Sequence, residues 1–320
     1  MEQDFAALGY EIVAFGEKAD VSVVNTCAVT EESARKSCQM MRRAKKISPQ
    51  TVTVVVGCLA QTGDAAKLAE ADVVVGSKHK RDVPRFVDEF LTGGRRIVAV
   101  GDMTFEKEFE PMRADRGEKT RAQIKIQDGC NNFCSYCIIP YARGRIRSKD
   151  IDDAFDEAVS IVNNGYKEIV FTGIHLDSYG KEHGRFDLCD LLEKVDKIEG
   201  LERIRLGSVE PTFINEKNVS RLKNLRTLCP HFHLSLQSGS DDILRKMNRH
   251  YTTDEYSAAV DGLRKAFDVV CVTTDIITGF PTETEENHKQ SLEFAKKIGF
   301  AKIHVFPFSP RKGTKAYEMK

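Results

Sequence analysis

The sequence contains no run of about 18 apolar residues, the length that a membrane-spanning helix needs, so no membrane span is expected. Residues 1–4 read Met-Glu-Gln-Asp and lack the basic-then-apolar order of a secretory signal peptide. A net charge is also absent, because 48 Lys and Arg residues balance 48 Asp and Glu residues. Any nucleic-acid partner must therefore bind to local basic patches rather than respond to the charge of the whole chain.

A disulfide framework is not expected either, because the nine cysteines are an odd number and are clustered rather than spread through a small domain. Clustered thiols suit metal ligation in a reducing compartment, which predicts a cytoplasmic protein. With 320 residues, of which 41% are hydrophobic and 30% charged, the chain has the composition of a globular protein and the length of two domains.

Three cysteines, Cys130, Cys134 and Cys137, lie within eight residues, directly after a strand-like run at 123–127. Thiolates this close in sequence can converge on one metal centre if the loop wraps around it. Three ligands are one fewer than a structural zinc site or an ordinary electron-transfer cluster uses. The open position indicates a cluster iron that can bind a substrate or cofactor. The alternatives are a zinc site with an unidentified fourth ligand, or thiols that are merely buried.

The first 105 residues alternate strand-like and helix-like segments, which predicts an α/β domain with a parallel sheet. The strands are predicted at residues 21–24, 52–56, 73–76 and 97–100, and the helices after Thr30, near 61–71 and at 83–91. Cys27 and Cys58 follow the first two strands in equivalent positions. Because the carboxyl ends of parallel strands form the ligand-binding edge of a sheet, these two thiols can meet there.

Residues 106–120 are rich in charged residues, contain Pro111 and show no periodicity, so they are predicted to be a linker. Strands are predicted beyond it at 123–127, 168–172, 203–208, 232–238, 269–278 and 302–308, and helices at 150–163, from Thr252 or Thr253 to Phe267, and at 282–298. About six βα units predict a partial (β/α)6 barrel at 121–320, with its chemistry at the carboxyl ends of the strands.

The cysteine loop, with Tyr136 before its last cysteine, resembles the radical S-adenosylmethionine superfamily. Residues 25–31 and 57–61 resemble the amino-terminal domain of the methylthiotransferases, and the resemblance covers nearly the whole chain. Residues 172–176, 208–211 and 233–237 resemble the branch that acts on threonylcarbamoyladenosine in tRNA. The branch that acts on isopentenyladenosine usually has a Gly-Gln-Asn-Val-Asn turn where residues 173–177 read Gly-Ile-His-Leu-Asp.

This resemblance implies that Cys130, Cys134 and Cys137 hold a 4Fe–4S cluster whose fourth iron binds S-adenosylmethionine. A 5′-deoxyadenosyl radical derived from that cofactor would remove hydrogen from carbon 2 of the adenine base. The residues expected to contact the cofactor are Tyr136, Gly173, Ser208, Glu210 and Gln237.

The resemblance also implies that Cys27 and Cys58 are two of three ligands of a second, auxiliary 4Fe–4S cluster that carries or supplies sulfur. The family's first ligand lies in a Gly-Cys-x-x-Asn motif, which this sequence lacks. The family also continues beyond the equivalent of residue 320 into a small RNA-binding β domain. We therefore expect a chain truncated at both ends, without its first strand, whose auxiliary cluster lacks one ligand and is weakly held.

The expected function is a tRNA methylthiotransferase that adds a methylthio group to carbon 2 of N6-threonylcarbamoyladenosine beside the anticodon. Methylthiolation of isopentenyladenosine or of a ribosomal-protein aspartate is an alternative. A catalytically silent, metal-stabilised RNA-binding protein is an alternative of another class. The expected partners of a monomeric protein of this kind are tRNA and a one-electron reductant such as flavodoxin or ferredoxin.

The remaining charged and titratable residues have more ordinary explanations. Arg143, Arg145, Arg147, Arg245, Arg249 and the basic residues at 42–46 and 78–81 could contact phosphate or could simply be solvated. His175 and His233 are expected to be hydrogen-bonded structural histidines. Cys38, Cys189, Cys229 and Cys271 have no partners at ligand spacing and are expected to pack in the core.

Overall fold

The computed structural model describes residues 1–63, 65–110 and 120–319, which fall into two compact units. Unit 1 comprises residues 1–106, 136–145 and 309–317, and unit 2 comprises 107–135, 146–308 and 318–320. The domain limits drawn from the sequence, 1–105 and 121–320, stay predictions. Most of the predicted linker, residues 111–119, lies outside the described residues.

A four-stranded parallel sheet forms the centre of unit 1. Its elements in chain order are α1 (Glu2–Ala7), β1 (Val21–Thr26), α2 (Glu31–Ile47), β2 (Val52–Gly57), α3 (Cys58–Thr62), β3 (Val73–Val75), α4 (Val83–Gly93) and β4 (Ile97–Ala99). The strands lie in the order β1-β2-β3-β4. Every residue of the valine-rich strands β2 and β3 is buried, as in a parallel sheet covered on both faces.

The four predicted strands of unit 1 are confirmed, and Thr30 is the N-cap of α2, where its hydroxyl accepts the Ser33 N–H at 3.1 Å. The helical stretch predicted near 61–71 is present only as two separate pieces. Helix α3 ends at Thr62, and a separate 3-10 turn, Ala65–Leu68, follows. Gly63 turns the chain away in an extended conformation, and a side chain there would collide with the Leu59 carbonyl.

The second half of the chain repeats the strand-then-helix order. Its elements are β5 (Ala122–Lys125), β6 (Gln127–Asp128), α5 (Ile139–Arg143), β7 (Arg147–Ser148), α6 (Ile151–Asn163), β8 (Glu168–Thr172), α7 (Leu188–Val195), β9 (Arg203–Leu206), β10 (Ser208–Val209), α8 (Glu216–Leu222), β11 (His231–Leu234), α9 (Asp241–Lys246), α10 (Thr253–Ala266), β12 (Cys271–Thr278), α11 (Glu285–Ile298), β13 (Lys302–Pro307) and α12 (Lys315–Glu318). Further 3-10 turns are found at Lys80–Asp82, Leu176–Ser178 and Pro211–Phe213. No helix among the described residues is long and apolar enough to cross a membrane.

Unit 2 contains two parallel sheets, β5-β8-β9 and β10-β11-β12-β13, and a short antiparallel pair, β6-β7. Strands β9 and β10 are the two parts of the single strand predicted at 203–208. They are separated at Gly207, whose N–H donates to the Phe171 carbonyl at 2.9 Å. The six predicted βα units are therefore present, and the α/β prediction with a partial barrel is confirmed.

The strands of unit 2 have two unlike faces. Phe232 and Leu234 of β11 are fully buried in the core beneath the helices, whereas His231 and His233, which alternate with them, are half-buried. This alternation is the period of two of a β-strand. On β11 the second face of the sheet is therefore polar.

Gly239, in the turn after β11, lies too close to helix α11 to accept a side chain without strain. A Cβ atom there would lie 2.7 Å from the Ser291 Cα and 2.8 Å from the Phe294 Cβ, both in helix α11. Gly239→Ala should lower the free energy of unfolding by about 1–3 kcal/mol, because helix backbone cannot move aside at low cost. Urea denaturation measures the change.

The matched control is Gly262→Ala in α10, where an added Cβ meets nothing within 4 Å. That change should raise the free energy of unfolding by about 0.5–1 kcal/mol, because alanine favours the helix more than glycine does. Equal destabilisation by both changes would contradict the packing of α11 against Gly239.

Candidate functional site

The cysteine loop follows β6, and its first two thiols lie in unit 2. Cys134 is buried and Cys130 is half-buried. Burial raises the pKa of the Cys130 thiol to about 11, and the charge of Cys134 adds to the rise. Cys137 comes three residues later, in the stretch that belongs to unit 1. The convergence of all three thiols therefore stays a prediction from their spacing.

The residues that follow α9 hold the cysteine loop in place. Phe133 has a left-handed backbone with φ of 48°, which a loop residue adopts only when its surroundings fix it. The Asn248 side-chain amide donates to the carbonyls of Asn132 at 2.9 Å and Phe133 at 3.2 Å. The Ser135 N–H donates to the Met247 carbonyl at 3.0 Å. Segment 247–248 thus fixes the loop on both sides of Cys134.

A buried ion pair lies beside the same loop. The Arg249 guanidinium is 2.8 Å from Glu210 Oε1, and their side chains are only 6% and 10% exposed. Arg249 also donates to the Cys134 sulfur at 3.2 Å, and the Asn132 amide donates to Glu210 Oε1 at 2.8 Å. Burial alone would raise the pKa of Glu210, but His175 and the Arg249 charge hold it below its usual value. Glu210 is therefore an anion at neutral pH.

The turn after β8 completes this group. His175 Nε2 lies 3.5 Å from Glu210 Oε1 and 3.2 Å from the Asn132 amide nitrogen. The backbone N–H of His175 donates to Gln127 Oε1 at 2.8 Å. A Cβ on Gly173 would lie 2.9 Å from the Gln127 Cβ, so the turn can approach β6 only with glycine at that position. His175 is hydrogen-bonded, as expected, and its partners are the residues around the cysteine loop, Asn132 and Gln127.

The other residues expected to contact the cofactor are Ser208, Tyr136 and Gln237. Ser208 is exposed, and Tyr136 and Gln237 are half-buried. Gln237 has a left-handed φ of 68°, and its N–H donates to the Asp275 carbonyl at 2.9 Å. Contacts from these residues, and from Gly173, to a cofactor remain predictions.

Cys27 and Cys58 occupy the positions expected in unit 1. The register of β1 and β2 pairs Thr26 with Gly57, so each cysteine follows one member of the pair. Gly57 has φ of 107°, and a Cβ there would lie 2.9 Å from the Thr26 carbonyl oxygen. Cys27 is exposed and Cys58 is buried. The two thiols therefore lie at one edge of the sheet, as the sequence predicted.

Two arginines have contacts that their sequence context did not indicate. Arg143 donates through Nε to the Cys58 sulfur at 3.0 Å, and Arg249 belongs to the ion pair beside Cys134. The interpretation of Arg249 as a phosphate contact or a solvated residue was wrong, because its side chain is buried. In the basic cluster at 42–46, Arg42 lies 3.5 Å from Glu70 and Lys45 lies 2.8 Å from Asp72, so acids neutralise part of it.

The remaining cysteines mostly lie where they were expected. Cys38 and Cys189 are buried among apolar side chains, and Cys229 and Cys271 are half-buried. The asparagines of the site, Asn132 and Asn248, were not predicted. Their only sequence signal is that asparagine tolerates tight turns, and Asn248 does have a left-handed φ of 57°.

Residues 124–295, which contain the three-cysteine loop and most of the strands of unit 2, match the family described as the Radical SAM superfamily. Residues 1–76 match the one described as Uncharacterized protein family UPF0004. The chain is 40% identical to the threonylcarbamoyladenosine tRNA methylthiotransferase MtaB of Aquifex aeolicus, over 100% of this chain and 78% of that relative. The protein of the same name from Bacillus subtilis is 39% identical, over 99% of this chain and 71% of its own length.

A tRNA-2-methylthio-N(6)-dimethylallyladenosine synthase of Clostridium tetani is 36% identical, over 98% of this chain and 71% of that relative. The chain therefore belongs to the methylthiotransferase family of radical S-adenosylmethionine enzymes. Among solved structures it resembles the radical S-adenosylmethionine methyltransferase TsrM of Kitasatospora setae, with a TM-score of 0.65 and 14% identity. That match covers 91% of this chain and 64% of TsrM, and it supports the fold alone.

Membership of this superfamily implies a 4Fe–4S cluster and S-adenosylmethionine as cofactors. The donor set fits the cluster, because thiolates are its usual ligands and three of them lie within residues 130–137. The Arg249 guanidinium donates a hydrogen bond to the Cys134 sulfur at 3.2 Å. The backbone N–H of Asn132 donates to the Cys130 sulfur at 3.5 Å. Donors of this kind stabilise negative charge on cluster sulfur.

Removing Arg249 should leave the Glu210 carboxylate buried without a counter-ion. Arg249→Ala is therefore expected to lower the free energy of unfolding of the apoprotein by about 3–5 kcal/mol. Guanidinium denaturation measures this loss. Arg245→Ala is the control, because that arginine is 76% exposed and 4.0 Å from its nearest acid. It should change stability by less than about 0.5 kcal/mol. Similar losses from both changes would contradict the buried pair.

Proposed function

We propose that this enzyme is a tRNA methylthiotransferase that modifies carbon 2 of threonylcarbamoyladenosine beside the anticodon. The observation that carries the proposal is the 40% identity, along the entire chain, to a relative that bears this activity in its name. The relatives named for dimethylallyladenosine are 35–37% identical. The turn at 173–177, which differs from the motif usual in that branch, also favours threonylcarbamoyladenosine.

Cys130, Cys134 and Cys137 would hold the 4Fe–4S cluster in this proposal. When bound, the cluster and S-adenosylmethionine supply the electron and the radical chemistry that break an unactivated C–H bond. The chain's own task is to hold the thiols and the substrate base in fixed positions. Segment 247–248 does the first by fixing the loop backbone on both sides of Cys134.

Charge around the cluster thiols is balanced by Arg249. Its guanidinium lies 3.2 Å from the Cys134 sulfur, where it favours the added negative charge of a reduced cluster. Glu210 orients that guanidinium from the other side at 2.8 Å. Because Glu210 stays ionised, it is also suited to accept hydrogen bonds from the amino or hydroxyl groups of the cofactor. Gln237, at the end of the next strand, would add an amide contact.

Cys27 and Cys58 would carry the auxiliary 4Fe–4S cluster, with the third ligand not identified in this sequence. Arg143 supports this assignment, because its Nε–H is directed at the Cys58 sulfur at 3.0 Å. Cys58 is otherwise packed against the apolar side chains of Ala28, Ile138 and Ala142. A neighbouring guanidinium stabilises the negative charge of a buried thiolate, so these surroundings suit a cysteine that binds a metal.

The partners follow from the same proposal. The substrate is tRNA, and a one-electron reductant such as flavodoxin or ferredoxin would supply the cluster with electrons. We propose that the enzyme acts as a monomer in the cytoplasm, where reduced thiols persist. A catalytically silent RNA-binding protein, the alternative of another class, would produce no 5′-deoxyadenosine in the next experiment.

The anaerobically reconstituted protein should produce 5′-deoxyadenosine from S-adenosylmethionine when a reductant is added. Cys134→Ala should abolish this product, because it removes one of three thiolates that have no substitute. Cys38→Ala, which changes a buried cysteine of unit 1 outside both sites, should retain it. Chromatography with mass detection measures the nucleoside. Iron-loaded wild-type protein that yields none would refute the enzymatic proposal.

Iron content tests the auxiliary cluster separately. Reconstituted wild-type protein should contain more than four and up to about eight iron atoms per chain, and the Cys27→Ala/Cys58→Ala double variant about four. The same Cys38→Ala variant serves as the control and should match the wild type. Equal iron content in the wild type and the double variant would show that Cys27 and Cys58 bind no cluster.

A further inference from the structure

Two histidines and an aspartate meet on the polar face of the second sheet of unit 2. His233 lies on β11, Asp275 on β12 and His304 on β13, which are neighbouring strands. The register pairs Asp275 with His304, and it pairs His233 with Thr273, two residues before Asp275. Because side chains alternate along a strand, these three residues share the face opposite Phe232 and Leu234.

The polar atoms of the three residues have the spacing of a metal coordination shell. His233 Nε2 lies 3.4 Å from one Asp275 carboxylate oxygen, and His304 Nδ1 lies 3.2 Å from the other. One atom from each residue can be chosen so that all three lie within 4.8 Å of one another. Ligands about 2.0–2.2 Å from a zinc ion are themselves about 3.0–3.5 Å apart, so only a small adjustment is needed.

A neighbouring hydroxyl orients His233 in the way that metal-binding histidines require. His233 Nδ1 lies 3.0 Å from Thr273 Oγ1. When Nδ1 carries the proton and donates it to that hydroxyl, the lone pair of Nε2 is directed toward Asp275. Metal-ligating histidines are usually oriented by such a bond from their other ring nitrogen. The rings of His233 and His304 are stacked with centroids 5.8 Å apart, which keeps both imidazoles beside Asp275.

We propose that His233, Asp275 and His304 bind one divalent transition-metal ion, of the class of Zn²⁺, Fe²⁺ or Co²⁺. Two imidazoles and one carboxylate are typical ligands for these ions, and none of them is a thiolate. Three protein ligands leave further coordination positions open to water or to an oxygen-bearing molecule. The site differs in ligand type from both cysteine sites and does not depend on the proposed function.

The site lies close to the expected cofactor contacts along the sheet. The Gln237 N–H donates to the carbonyl of Asp275 itself, at 2.9 Å. The backbone of the proposed metal ligand is therefore hydrogen-bonded to Gln237, three residues after the end of β11. This assignment replaces the prediction that His233 is only a structural histidine.

Anaerobic equilibrium dialysis against Co²⁺ tests the proposal on the full chain. The proteins compared are the wild type, Asp275→Asn, His304→Ala and the control His231→Ala. His231 lies on the same face of β11, two residues from His233; its ring is 3.4 Å from the Thr273 hydroxyl, but it contributes no ligand atom to the group. Cysteine thiols bind Co²⁺ equally in all four proteins, so differences between them isolate the proposed site.

Wild type and His231→Ala should bind one more Co²⁺ per chain than Asp275→Asn and His304→Ala. Affinity at that site should fall at least about tenfold in the two variants. The difference spectrum should show visible bands without the intense charge-transfer absorption of thiolate ligands. Equal binding by all four proteins, or a difference spectrum dominated by thiolate absorption, would overturn the proposal.

Thermal unfolding provides the second measurement. Co²⁺ should raise the melting temperature of the wild type and of His231→Ala more than that of His304→Ala, because a ligand stabilises the state that binds it. His304 is 44% exposed on β13, so its replacement should leave the metal-free fold intact even if Asp275→Asn does not fold. An equal rise in all proteins would contradict the site.

Discussion

The buried ion pair between Glu210 and Arg249 is the interaction on which the candidate site depends. Each charge is almost fully removed from water, so each is stable only while the other is present. Arg249 also contacts the Cys134 sulfur, and Glu210 accepts a hydrogen bond from Asn132. The position of the cysteine loop thus depends on the Glu210 carboxylate, which follows β10, and on the Arg249 guanidinium, which follows α9.

Much of the fold was predictable because its signals are local. The strand predicted at 168–172 is β8 without a change of limits, and Thr252 caps α10 as its position suggested. Errors occurred where a local pattern could not show an interruption. The strand predicted at 203–208 is divided at Gly207, and the helix predicted near 61–71 is broken at Gly63. In both cases a single glycine changes the direction of a segment whose flanking residues continue the pattern.

The cysteines of the site were predictable for two different reasons. Cys130, Cys134 and Cys137 are close in sequence, and Cys27 and Cys58 follow equivalent strands of one sheet. The residues that support them gave no such signal. Arg249 reaches Cys134 across 115 positions, and Asn248 reaches Asn132 across 116. The group of His233, Asp275 and His304 depends on the register of three strands, which the sequence does not specify. Side-chain contacts over such separations become visible only in the folded chain.

Mass spectrometry of tRNA nucleosides measures directly whether this family member methylthiolates threonylcarbamoyladenosine in tRNA. The tRNA should come from cells that lack their own methylthiotransferases and express only this chain. The wild-type chain should give the 2-methylthio derivative of threonylcarbamoyladenosine, and Cys134→Ala should give only the unmodified precursor. A methylthio group on dimethylallyladenosine instead, or no methylthiolated nucleoside at all, would contradict the proposed function.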